Sequence, residues 1–257
     1  MIRSKTSQMA CRCILALTLM AFFATAGLSQ TPPDSELKSL AGYRYLERTE
    51  NAKADAKDLP MVIGLHWSSS TPKEFGEYIA GFNIPVRIIL LEGPYEHPRG
   101  GRSFYVRQPV SYYDMNADEK MAQLLSESEK LGKFIEAATA LYTPKRKPVV
   151  IGASQGGDLS YLAAIRYSSL ITAACPLLAT FDERVLSETA DAKKAAPIFV
   201  YHGADDPIVD IADVRSHVKA LSSAGYKMKL NVYPGTKHDV SASMKRDYIK
   251  EISRVLR

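Results

Sequence analysis

Ser154 stands in Gly152-Ala153-Ser154-Gln155-Gly156, directly after the apolar run Val149-Val-Ile-Gly-Ala. A serine hydroxyl is a weak nucleophile until a base takes its proton, so its chemistry depends on how the chain presents and pairs it. A Gly-x-Ser-x-Gly pentapeptide between a strand and a helix forms a tight turn that lifts the hydroxyl off the C-terminal edge of a parallel sheet. The serine takes strained backbone, and Gly152 and Gly156 lack side chains so that strand and helix pack closely. Read without chemistry, the same pattern is a glycine-rich turn, so the rest of the chain must supply a base and a group that orients it. Two later loops do so. The loop after the run Ile198–His202 carries Asp205, Asp206 and Asp210, and the loop after Met228–Tyr233 carries His238. Imidazole exchanges protons near neutral pH, and a carboxylate holds it in one tautomer. Gln155, next to the serine, offers its backbone N–H as one of the two donors that a tetrahedral oxyanion requires.

These residues need a scaffold that brings three loops to one edge. Short β-branched runs alternate with helical patterns, which implies a mostly parallel sheet flanked by helices. The strands read as Tyr43–Arg48, Met61–His66, Val86–Leu91, Val149–Ala153, Leu170–Ala174, Ile198–His202 and Met228–Tyr233. Several follow a proline (Pro60, Pro85, Pro148, Pro197), which suits a strand start. In Asp118–Leu141 the positions Leu124, Leu131, Phe134, Ile135 and Ala138 form one helical face, and Met244, Tyr248, Ile252 and Leu256 repeat it near the C-terminal end. No repeat, long low-complexity segment or insertion large enough for a separate lid domain interrupts this order. The reading is one domain over residues 40–257, preceded by a polar, flexible lead-in over 27–39 with Pro32-Pro33.

Residues 1–26 read as a secretory signal peptide: Arg3, Lys5 and Arg12 precede the apolar run 14–23, and the small residues Ala24-Thr25-Ala26 follow. The run is short for a bilayer span, which needs about 20 apolar residues, so cleavage is expected rather than a stable membrane anchor. The protein is accordingly expected to be secreted or periplasmic. Cys11 and Cys13 leave with the signal, and Cys175 remains as a buried, inert thiol in an apolar run, which excludes an internal disulfide. A core of ordinary size must hold the remaining chain of about 230 residues. The formal net charge of +5 includes the three positive charges of the signal and leaves +2, on lysines and arginines scattered along helices, so nucleic-acid binding has little support. No paired ligand spacing such as His-Glu-x-x-His implies a metal, and no phosphate-binding glycine loop implies a cofactor. His217 falls within a helix pattern, and His97 in a loop where solvation is expected.

With its elbow Gly152-Ala-Ser-Gln-Gly156, acid loop His202-Gly-x-x-Asp206-Pro207 and late Tyr233-Pro-Gly-x-x-His238, the chain resembles the α/β-hydrolase superfamily. It looks most like the small, lidless carboxylesterase, phospholipase and dienelactone-hydrolase-like branch, over about residues 58–257. The chain order Ser, Asp, His also matches that superfamily. The resemblance implies a single-domain α/β fold with helices on both faces of the sheet. It places the acid at Asp206, with Asp205 and Asp210 as rivals, and gives His202 a structural role at the end of its strand. It also implies a second oxyanion donor in the turn after Met61–His66, where relatives carry His-Gly. This chain has Trp67 in place of that glycine, so direct alignment gives Ser68, with Trp67 as the alternative. Trp67 itself is either a wall of the acyl pocket or a packed surface tryptophan. The segment 92–105 resembles a loop that borders the active site, which makes Phe104 and Tyr105 candidate substrate contacts. Arg99 and Arg102 read as surface charges, with attraction of an acidic substrate as the alternative. The expected activity is hydrolysis of a small carboxylic ester through an acyl-enzyme, with short or compact acyl groups favoured. A peptidase, thioesterase or acyltransferase with the same three residues, or a non-catalytic binding protein, is the alternative. The sequence leaves the oligomeric state open.

Overall fold

Runs that are apolar at every position become strands buried between two helix layers. The computed structural model describes residues 36–188 and 195–257. The segment 1–26 read as a signal and residues 27–35 of the lead-in lie outside the described residues. In chain order the strands are β1 Lys38–Leu40, β2 Tyr43–Glu50, β3 Met61–Leu65, β4 Val86–Glu92, β5 Tyr95–Glu96, β6 Arg102–Ser103, β7 Val149–Ala153, β8 Ala173–Leu177, β9 Ile198–Gly203 and β10 Met228–Tyr233. The helices are α1 Pro72–Tyr78, α2 Ala117–Tyr142, α3 Gln155–Arg166, α4 Ile211–Ser223 and α5 Ala242–Leu256.

Among the described residues, eight strands form one sheet in the order β1-β2-β4-β3-β7-β8-β9-β10. From β4 onward every neighbouring pair is parallel, while β1 and β2 run antiparallel at one edge. The period of two along each strand splits the interior into two cores. Met61, Ile63, Leu65, Ile89 and Val150 face one core with α2, α3 and α4. Val62, Ile88, Leu90, Val149 and Ile151 face the other, with Phe75 of α1 and Met244, Tyr248, Ile252 and Leu256 of α5. The described residues fold as one unit, and the mostly parallel sheet with helices on both faces is the expected architecture.

Two segments differ from the sequence reading. Lys38 and Ser39 are strand residues rather than flexible lead-in, because the two-residue turn Ala41-Gly42, with both φ positive, folds β1 back on β2 as a hairpin. The strand expected at Leu170–Ala174 lies at Ala173–Leu177, with Ser168–Leu170 forming a 3-10 turn. Pro176 lies within β8, paired to Gly152 of β7. It is accommodated in β8 because pairing to β9 is recorded at Ala174 and Leu177 but not at Pro176, where no N–H is available to donate.

Candidate active site

The central strand β7 ends at Ala153, and the chain reverses through Ser154 into α3. Ser154 has φ 52° and ψ −117°, a conformation that non-glycine residues avoid, and it is held by its N–H to Leu177 O at 3.0 Å. The flanking glycines leave no room for a side chain. A Cβ on Gly152 would lie 2.0 Å from Gly156 O, and one on Gly156 would lie 2.1 Å from Leu65 O. The sequence spacing therefore has a steric cause: two backbones cross where a methyl group would stand.

The loops after β9 and β10 meet at this turn. His238 Nε2 is 3.2 Å from Ser154 Oγ, and its Nδ1 is 2.8 Å from Asp206 Oδ2. The other Asp206 oxygen accepts from the Ile208 and Val209 N–H groups at 2.8 and 3.0 Å, and the carboxylate is fully buried while the imidazole is partly exposed. With Nδ1–H donating to the carboxylate, the lone pair on Nε2 faces the serine, which is the tautomer a base needs. The rival acids are occupied elsewhere. Asp205 accepts from Gly235 N–H, and Asp210 caps α4 by accepting from Ala212 N–H. His202 is buried at the end of β9, and its Nε2–H donates to Val209 O at 2.9 Å. Burial holds its proton affinity below the ordinary imidazole range, so it braces the acid loop as a neutral ring.

Gln155 N–H is at the first position of α3, where no intrahelical acceptor exists. In the turn after β3, Ser69 N–H donates to Arg102 O and Ser70 N–H to Trp67 O, so these two amides are committed to the turn. Ser68 and Trp67 both line the cleft around Ser154. The turn is fixed from beneath by His66, whose Nδ1–H donates to Trp67 O at 2.7 Å while Nε2 accepts from Gly93 N–H at 3.0 Å. Burial pushes His66 down to about 4, so it stays neutral and keeps this donor–acceptor pattern.

Phe104 and Tyr105 do not reach the cleft, contrary to the sequence reading. Both are fully buried. The Gln155 side chain is the cause: its Oε1 accepts from Phe104 N–H and Ser103 Oγ–H, which draws this segment inward. The Phe104 ring then packs on His66 at 4.8 Å, supporting the turn instead of touching substrate. His97 is also buried rather than solvated, accepting from Arg99 N–H at 3.1 Å. Arg102 is engaged with Gly93 O and Pro94 O, whereas Arg99 lines the cleft.

Sequence reasoning missed Tyr113, Arg107, Tyr78, Leu178 and Val240, which also line the cleft of about 640 Å³. Trp67 packs edge-on against Tyr78 at 5.0 Å, so it is both packed and exposed to the cleft. Tyr113 is the most informative omission. Its hydroxyl accepts from Gln155 Nε2–H at 2.9 Å and is in hydrogen-bond contact with the Ser68 side chain. The only hint in the sequence was an aromatic pair, Tyr112-Tyr113, within an otherwise polar segment.

Comparison with known proteins agrees with this geometry. Solved structures with the same fold include esterase PE8 (TM-score 0.68, 14% identity, 82% of this chain and 99% of that one). A Bacillus cereus carboxylesterase is similar to the same degree (TM-score 0.68, 15% identity, 83% of this chain and 94% of that one). In sequence, acyl-protein thioesterase 1 of Gibberella zeae is 31% identical over 96 residues, 35% of this chain and 40% of the relative. Carboxylesterase SOBER1 of Arabidopsis thaliana is 25% identical over 122 residues, 47% of this chain and 54% of the relative. The chain thus spans about half or less of the length of these two relatives. The model of the phospholipase/carboxylesterase family matches residues 52–256, from the segment before β3 through α5, and the chain belongs to that family of α/β-hydrolase enzymes.

Proposed function

We propose that the protein is a serine hydrolase of carboxylic esters, with Ser154 as nucleophile, His238 as general base and acid, and Asp206 as the group that orients His238. The observation that carries this reading is the continuous hydrogen-bonded chain from Asp206 through His238 to Ser154, opening into the cleft. The ester carbonyl enters beside Ser154. Ser154 Oγ attacks the carbonyl carbon as its proton passes to His238 Nε2, and the imidazolium is stabilised by Asp206. The oxyanion accepts from the N–H groups of Gln155 and Ser68. The alcohol leaves with the proton from His238. A water molecule, deprotonated by His238, then attacks the acyl-enzyme and releases the acid.

The Gibberella relative favours a second reading, in which the acyl group is carried by a thioester. The chemistry of Ser154 is the same for both, and only the leaving group differs. Trp67, Tyr78 and Leu178 give the cleft an apolar wall suited to a short or compact acyl group. The pattern Arg3, Lys5, Arg12, apolar run and Ala24-Thr25-Ala26 supports action outside the cytoplasm after signal removal.

The test compares 4-nitrophenyl acetate with its acetyl thioester counterpart, using the wild type and Ser154→Ala. Turnover lost in the folded variant supports the assignment, whereas retained turnover refutes it. A kcat/KM series over acetyl, butyryl and decanoyl esters tests the acyl pocket. Values rising steadily to decanoyl would rule out the compact-acyl preference.

A further inference from the structure

The cleft that opens on Ser154 is charge-asymmetric. Arg99 and Arg107 line it on one side, together with Tyr113. The carboxylate on its lining surface is Asp239, which is exposed and accepts from Val240 N–H at 2.7 Å. Elsewhere Arg44, Arg48, Arg87, Arg102, Arg184 and Arg254 each pair with a carboxylate. Among the described residues, no carboxylate lies within ion-pair distance of Arg99 or Arg107. Arg107 is half-buried, and its Nε is buried without a hydrogen-bond partner. A buried guanidinium N–H left unpaired is costly unless a ligand supplies the acceptor.

The two side chains are also positioned. The Arg107 guanidinium lies 4.8 Å from the centre of the Tyr113 ring, and the Tyr113 hydroxyl accepts from the Gln155 side chain, whose backbone adjoins Ser154. Two consecutive contacts therefore tie the cation to the residue that follows the nucleophile. Arg99 is anchored through its backbone N–H to buried His97, whose proton affinity is lowered by burial and further by Arg107 and Arg99. A neutral His97 leaves the two guanidinium groups as the positive charges of this wall.

We propose that this wall makes the cleft selective for esters that carry a carboxylate, with Arg107 as the principal contact and Arg99 at the mouth. A planar guanidinium fork matches a carboxylate in a way that a lysine does not. The inference rests on the serine-hydrolase reading and specifies its substrate class. The carboxylate sits on either the acyl or the alcohol portion of the ester, and the test separates the two.

The experiment measures kcat/KM at low salt for two matched pairs. On the acyl side, the 4-nitrophenyl half-ester of adipate is compared with 4-nitrophenyl hexanoate. On the alcohol side, 4-acetoxybenzoate is compared with 4-acetoxybenzamide. The expected result is an anionic-to-neutral ratio of about ten or more for one pair, falling with added salt, since one charge-assisted bidentate contact gives roughly tenfold discrimination. Arg107→Gln should lower that ratio about tenfold, mainly through KM, and Arg99→Gln less. Arg107→Lys keeps the charge without the fork and should fall between wild type and Arg107→Gln. Wild-type ratios of one or below for both pairs, or a ratio unchanged in folded Arg107→Gln, would overturn the proposal. If the neutral esters are turned over in a Ser154-dependent way, that failure leaves the esterase reading intact. Absence of turnover on all four esters contradicts both.

Discussion

At the residue scale, the account turns on what each carboxylate near His238 does. Asp206 is the one within 2.8 Å of His238 Nδ1, with its second oxygen fixed by two amides. Asp206→Asn preserves the shape but removes the charge and favours the wrong imidazole tautomer. It should lower kcat by about 10³- to 10⁴-fold with little change in KM. Asp210 caps α4 and lies off this chain. Asp210→Ala should instead cost about 1 kcal/mol of stability and leave kcat near the wild-type value. Steady-state kinetics and urea melts on the two variants separate the roles, and comparable kcat losses in both would contradict the assignment. Residue types and order pointed to serine, acid and histidine, yet they did not choose among three aspartates. That choice depends on how a buried loop closes on itself, which spacing along a chain does not encode.

The elements impose their own constraints. Gly156→Ala places a methyl group into Leu65 O, main chain against main chain, so neither partner can yield without moving β3 or α3. The variant should lose several kcal/mol or fail to accumulate as folded protein; a thermal midpoint within a few degrees of wild type would contradict the crossing geometry. The turn after β3 has a pH signature. The folded His66 pKa of about 4 lies below the 6.5 of an ordinary imidazole, so the unfolded chain binds the proton more readily. The contribution of neutral His66 is therefore complete above pH 6.5 and is lost as pH falls towards 4. Its size is about 3 kcal/mol. His66→Gln cannot titrate, so chemical denaturation at pH 7 and pH 4.5 should show a steeper stability loss for wild type than for the variant. Equal losses would show that His66 is not held neutral.

Strands and helices with strong periodicity were legible in advance: β7 and β10 match the sequence reading end to end, and α2 differs by one residue at each end. The segment 92–113 was not legible, since its conformation comes from tertiary capture. The Gln155 side chain accepts from the Phe104 amide and the Ser103 hydroxyl and donates to Tyr113, bonds that accompany Phe104 and Tyr105 facing the core while Tyr113 and Arg107 reach the cleft. No local pattern announces a hydrogen bond between residues 51 positions apart.

For the whole molecule, the expected export has a chemical readout. Cys175 is buried within β8, and burial pushes its thiol well above the ordinary range, so it should react only after unfolding. If residues 1–26 are removed on export, the extracytoplasmic protein contains one cysteine, whereas the full chain contains three. Thiol titration in denaturant, with the intact mass, should give one thiol per chain in that fraction. Three thiols, or a full-length chain confined to the cytoplasm, would contradict the signal-peptide assignment.

The central claim is that Ser154 is an activated nucleophile, and covalent labelling tests it most directly. A fluorophosphonate probe reacts with a serine whose proton is withdrawn by a positioned base. Incubation with the folded protein, followed by peptide mass spectrometry, should place a single adduct on Ser154, with labelling lost in Ser154→Ala and strongly slowed in His238→Ala. A folded wild-type protein that remains unlabelled, or that carries the adduct on another residue, would contradict the account.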